Sequence, residues 1–383
     1  MVPRDAGQPH RVASSLELFF DLVFVVAVST ASAQLHHALG EGHLQHGIVS
    51  YAMLFFAIWW AWMNFTWFAT AFDTDDWLYR VTTIVQMSGV LVLAAGIPSA
   101  FEHGQFALVV IGYVVMRVAM VAQWLRASRA EGPLRQTTRR YAFGIAAVQV
   151  LWVLFLLIPE GPLQLVAFVV FALLEMAIPV FAEHKRPTPW HPHHITERYG
   201  LFTLIVLGES LLASANAIID ALHEAESFVP FISISVLTLV VTAALWWIYF
   251  WPAHHRAVDT FARSLRYGYT HYLIFAAAAA FSSGIEVELD VLTGKSDLSS
   301  TAASFTVTIP IAVFLLCVWW VAIRPSGDRV VNTVVPAGAV LVLLDPILPV
   351  PVALTAVIMV VIVVVLVVRP RVPAAPETLE LGV

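Results

Sequence analysis

Apolar residues along this chain come in unbroken runs of about 20, separated by short stretches of Arg, His, Glu and Gly. A helix needs about 20 apolar residues to cross roughly 30 Å of hydrocarbon. One run, Val350 to Val368, carries no charge at all. In lipid every backbone N–H and C=O must be bonded within the protein, so such runs are helices even where valine dominates. Hydropathy places spans at 12–39, 47–72, 77–98, 105–126, 138–158, 161–182, 196–219, 229–251, 264–285, 301–324, 330–349 and 350–368. Pro346, Pro349 and Pro351 crowd the last junction, and Pro370 to Val383 reads as a disordered tail. The predicted fold is therefore all-α, a polytopic transmembrane bundle of about twelve helices.

Composition agrees. Of 383 residues, 60% are hydrophobic and 12% charged, against about 25% charged in soluble domains. The distribution of charge says more than its net value of −6. If spans alternate, one side of the membrane receives 18 of the 20 Lys and Arg, including the run Arg126, Arg129, Arg135, Arg139 and Arg140. The other side holds Lys295, and Arg117 falls inside a span. Positive loops stay in the cytoplasm, so both ends are expected there, in a bacterial inner membrane. The first apolar stretch contains Glu17 and Asp21 and lacks a cleavage signal, so it does not read as a signal peptide. The single cysteine, Cys317, excludes an intrachain disulfide and a cysteine metal site.

The halves echo each other. Arg11 and Arg198, Trp59-Trp60 and Trp246-Trp247, and Pro159 and Pro346 recur at an offset of 187. Asp21 and Glu209, and Gly96-Ile97 and Gly284-Ile285, recur at 188. The shared order predicts a duplicated six-helix unit, 1–190 and 191–369, with 370–383 as a cytoplasmic tail. An even number of helices per unit makes the copies parallel.

Ionisable residues at membrane depth cost at least ~2.5–3.5 kcal/mol on insertion scales and mark candidate sites. Glu17 and Asp21 lie four residues apart on one helix face. Ser14 to Glu17 fits a capping box; alternatively the helix starts near Pro9 and both acids lie deeper. Glu209 falls ~20 Å into its helix at 1.5 Å per residue, near mid-membrane, and Ser210, Ser214 and Ala217 form a small-residue stripe beside it. Arg117 needs a carboxylate, with Asp21, Glu175 and Glu209 as candidates. Glu175 sits near the cytoplasmic end of its span, where snorkelling is easy. His271 is a proton relay or a packing histidine, and a helix-end turn accounts for Asp345. His36, His37, His43 and His46, and His184, His191, His193, His194 and His254-His255, read as interfacial polar groups, without a metal motif. Tryptophans near span ends read as aromatic belts and packing. No phosphate loop, nucleophile elbow or dinucleotide fingerprint appears.

Three segments carry a resemblance: Leu16 to Val25 (Leu-Glu-Leu-Phe-Phe-Asp-Leu-Val-Phe-Val), Glu197 to Phe202 with Ile205 to Ser210, and Trp246 to Phe250. Together they resemble the bacterial low temperature requirement A family, over nearly the whole chain. The resemblance implies an integral membrane protein whose signatures contain Glu17, Asp21 and Glu209, and adds Glu197.

Three functions compete. A secondary carrier would use Glu209 and Asp21 for proton or cation coupling, Arg117 as counter-charge, and Glu197 and Arg198 for gating or anchoring, with Glu175 and His271 as further candidates. An intramembrane enzyme or accessory factor acting on lipids would use paired carboxylates, but no nucleophile–base pair is seen. A sensor or scaffold would need an output surface, and the loops are short. The carrier is the expectation. Its partners are membrane lipids and a small solute or ion; no cofactor, metal or nucleic acid is implied.

Overall fold

Among its described residues the protein forms twelve α-helices, seen in a computed structural model. The described residues are 1–371, except 2, 6, 9–11, 73, 131, 225–228, 349–352 and 370; side chains at 217, 220–224 and 229 lie outside the description too. Arg11, the junction around Pro349 and Pro351, and the tail apart from Arg371 therefore lie outside the described residues.

The helices are α1 (Ser15–Gly40), α2 (Leu44–Phe72), α3 (Trp77–His103), α4 (Ala107–Ala127), α5 (Arg135–Phe155) and α6 (Pro162–Glu183). Then come α7 (Pro192–Glu224), α8 (Val229–Phe250), α9 (Phe261–Thr293), α10 (Ser300–Val318), α11 (Arg329–Leu344) and α12 (Ala353–Val368). A 3-10 turn, His254–Ala257, joins α8 to α9, and a π-helical turn, Trp319–Ile323, ends α10.

Among the described residues, ten helices are long and apolar enough to cross a membrane. The other two are α5, whose apolar character is lowered by Arg135, Arg139 and Arg140 in its first turns, and the 16-residue α12. Large apolar side chains lie bare on the outer faces, among them Leu22 on α1, Val153 on α5, Val166 on α6 and Val361 on α12. A soluble protein hides such stripes; here they meet lipid.

The core is built around α2. Every residue from Met53 to Thr66 is buried, as expected of a helix apolar on all sides. In the first half, α1 packs on α2 and α3, α3 on α4, α4 on α5 and α5 on α6. In the second, α7 packs on α8 and α9, α9 on α10, α10 on α11 and α11 on α12. Across the seam, α9 meets α1 and α2, and α7 meets both as well.

Glycine sets the closest crossings. A Cβ on Gly96 of α3 would stand 2.7 Å from Leu108 Cβ and Val109 N of α4. Gly284 of α9 lies just as tightly on the backbone of Thr306 and Val307 in α10. Without a water-driven hydrophobic force between helices, such close packing drives their association.

Candidate functional site

The α1 N-terminus begins the site. Ser14 caps the helix: Glu17 N–H donates to Ser14 Oγ at 3.3 Å, and Ser14 N–H donates to Glu17 Oε2 at 2.8 Å. The helix opens at Ser15 and not near Pro9. Yet Glu17 is only 1% exposed and Asp21, one turn on, is fully buried. The capping role and the buried position thus coexist, because a neighbouring helix covers this end of α1.

That helix is α7. Arg198 Nη1 donates to Glu17 Oε1 at 2.9 Å and Nε to Asp21 Oδ2 at 3.0 Å, while Nη2 donates to Asp21 Oδ1. The planar guanidinium is suited to this, since it presents its donors in a fixed fork. Trp62 of α2 donates its indole N–H to Asp21 Oδ1 at 2.7 Å. One turn before Arg198, His194 Nε2 lies 3.2 Å from Glu17 Oε1, and Nδ1 lies 3.1 Å from Thr70 Oγ1. A threonine hydroxyl donates or accepts. The same geometry therefore serves His194 with one ring proton or with two.

Glu197 stays outside this cluster, partly exposed beside the Ala13 backbone. A second buried pair lies between α4 and α6. Arg117 Nη2 donates to Glu175 Oε2 at 2.7 Å. Trp60 donates to the same oxygen at 2.9 Å, and Tyr113 O–H to Oε1 at 3.2 Å. Glu175 does not snorkel, contrary to the sequence reading. It is fully buried, held inward by three donors from α2 and α4. Among Arg117's candidate partners, Asp21 is taken by Arg198, and Glu209 is half-buried beside Ser29 of α1 and near Glu286 of α9. Ser210 bonds Thr242 Oγ1 at 2.9 Å, so the small-residue stripe faces α8; Ala217 lies outside the described side chains.

His271 is fully buried in α9, with both ring nitrogens partnered. Its Nδ1 lies 2.7 Å from Tyr267 O and its Nε2 3.0 Å from Tyr249 Oη. His254 mirrors it, 2.6 Å from Tyr249 O and 2.9 Å from Tyr267 Oη. In the turn outside the spans, burial lowers the His254 pKa to about 4. Asp345, at the end of α11, accepts at Oδ2 from Thr355 N–H at 3.0 Å and from the Thr355 hydroxyl. On the opposite face His36 is held by Glu286 at 3.1 Å and Asp290 at 2.6 Å. Among the described residues no three His, Cys, Asp or Glu gather in a metal-binding group.

Two of the signature segments, Leu16 to Val25 and Glu197 to Phe202, therefore meet face to face through Glu17, Asp21 and Arg198. Residues 12–368 match the family described as Bacterial low temperature requirement A protein. The chain belongs to the bacterial low temperature requirement A family. An uncharacterized protein of Rhizobium meliloti (strain 1021) is 32% identical over 257 residues, which is 64% of this chain and 60% of that relative. The match thus spans under two thirds of the relative's length. In this low temperature requirement A protein, a multi-pass membrane protein, the sequence reading missed His194, Thr70 and Trp62. A signal for His194 was present: His194 and Arg198 repeat the i, i+4 spacing of Glu17 and Asp21. For Trp62 there was none, since an indole N–H aimed at an acid looks like any other belt tryptophan in sequence.

Proposed function

We propose that this protein is a secondary carrier coupled to a proton, or to a cation in its place, at the Glu17–Asp21–Arg198–His194 cluster. The cluster itself carries the reading. Among the described residues it holds two carboxylates and one guanidinium, all buried. A net buried charge is costly, and among the described residues of the cluster His194 is the group whose protonation can supply a second positive charge. Among the described residues, charged or titratable groups around it include Tyr79 from α3 and His191 and Glu197 from α7. Proton uptake by His194 balances the cluster and holds α1 to α7. Proton release leaves an excess negative charge, which is relieved by parting the two helices or by admitting a cation.

The same reading takes 1–190 and 191–369 as parallel copies of a six-helix unit. The repeated order of helix neighbours supports it, as does the close-packing role shared by Gly96 and Gly284. It sets the Arg-rich loops and both ends in the cytoplasm of a bacterial inner membrane. Arg117 and Glu175 neutralise each other within the first unit, and Glu209, beside Ser29, is the acid for exchange at the opposite side.

The test is flux. Purified protein in liposomes with an entrapped pH-sensitive dye is challenged with a panel of small cations and metabolites. The wild type is expected to move protons with at least one solute; folded His194→Gln and Asp21→Asn are expected to lose that coupling. Coupled flux unchanged in both variants would remove the cluster from the mechanism.

A further inference from the structure

A small cavity lies on the seam between the halves, at the same end of the molecule as the ion cluster. Its volume is about 40 Å³, and α2, α4, α5, α6 and α9 all contribute to its wall. A water needs ~10–15 Å³ by this measure, so the space suits about three waters or one small ion. Five aromatic residues line it: Trp67, Trp124, Tyr141, Phe261 and Tyr269. The sixth lining group that matters is Glu183, the last residue of α6.

Glu183 is 7% exposed. Tyr141 and Thr188 each donate a hydroxyl to Oε1 at 2.7 Å. Among the described residues no Lys, Arg or His is paired with it, unlike Glu17, Asp21 and Glu175. Aromatic faces carry negative potential and attract cations, the more so when water is excluded. A buried carboxylate without a cation, walled by aromatic rings, is the chemistry of an ammonium cage.

We infer that this cavity binds a monovalent cation of ammonium or methylammonium size, with Glu183 as counter-charge and the aromatic rings as walls. As the cargo site this rests on the carrier reading; as a binding site it does not. The cavity is wired to the ion cluster. Trp67 donates its indole N–H to Tyr199 Oη at 3.1 Å, and the Tyr199 ring packs edge-on against Trp62 at 4.9 Å. Trp62 in turn holds Asp21. A shift of α7 against α1 therefore pulls on a wall of the cavity.

The probe is methylammonium, read by saturation-transfer NMR on the full-length protein in detergent micelles, where no flux is needed. Wild type is expected to transfer saturation to the methyl group, with competition by ammonium and no transfer to tetraethylammonium. Glu183→Gln keeps an oxygen for Tyr141 and Thr188 and is expected to abolish the signal. Phe261→Leu removes one ring at the edge of the cavity and is expected to weaken binding by about two- to fivefold. Absence of transfer in the wild type would mean a cavity filled by solvent alone and would overturn the inference. Equal signals in wild type and Glu183→Gln, or unchanged affinity in Phe261→Leu, would overturn it as well. Binding without any flux in liposomes would instead retire the carrier and keep the cavity; coupled flux without binding would do the reverse.

Discussion

Arg198 is the residue on which the α1–α7 contact turns. Its guanidinium satisfies two carboxylates that have no access to water. Removing one side of a buried ion pair costs about 3–5 kcal/mol because the stranded charge remains. Arg198→Met is expected to lose about that much, measured as a large fall in the thermal midpoint in detergent. The triple variant Glu17→Gln, Asp21→Asn, Arg198→Met strands neither a carboxylate nor a guanidinium and, with His194 neutral, is expected to recover most of the loss; a triple variant as unstable as the single one would contradict an ion-pair role. His254 makes a separate prediction. Burial lowers its pKa from 6.5 to about 4, so the unfolded chain binds this proton first. Its contribution is full above about pH 6.5 and is lost as pH falls toward about 4, by about 3 kcal/mol in all. Thermal midpoints recorded across that range are expected to fall less steeply in His254→Gln than in wild type. The acids of the site were legible in the sequence, since charge in an apolar run is conspicuous. Their pairing was not. Arg198 lies 177 residues from Asp21, and Glu175 was as good a partner on paper for solvent as for Arg117.

At the scale of the helix, hydropathy located all twelve elements, because the bilayer's demand for internally bonded backbone leaves few alternatives. It was weakest where a helix carries polar residues at its end. The span read from position 196 begins at Pro192 as α7. Those extra residues include His194, and only their helical register sets His194 beside Glu17. Similarly, the span read from position 138 begins at Arg135 as α5. Close crossings were visible only as scattered glycines. The structure gives them weight: Gly284 leaves no room for a Cβ against the Thr306 backbone. Gly284→Val is expected to push α9 from α10 and to cost about 1–3 kcal/mol of overpacking, seen as a lower midpoint and aggregation on size-exclusion chromatography. Gly208 has open space around it, so Gly208→Ala is expected to behave as wild type in the same assays.

For the molecule as a whole, the arrangement of charge makes the topology testable. With Cys317 replaced by serine, single cysteines at Arg129 and Lys295 are expected to react with an impermeant maleimide from opposite sides of the membrane, Lys295→Cys from outside in intact cells. Labelling of both from one side would break the alternation of spans. The two halves then have distinct duties. The first supplies α1, the central α2 and the neutralised Arg117–Glu175 pair; the second supplies α7 and α9, which close the ion cluster and the seam. Proton exchange where α1 meets α7 is tested most directly by infrared difference spectra of the protein in lipid, between about pH 5 and about pH 8, where an imidazole titrates. A carboxyl or imidazole band that titrates in wild type and is displaced in His194→Gln, Glu17→Gln and Asp21→Asn is the predicted result. Spectra that superimpose for wild type and all three variants would contradict proton exchange at this cluster.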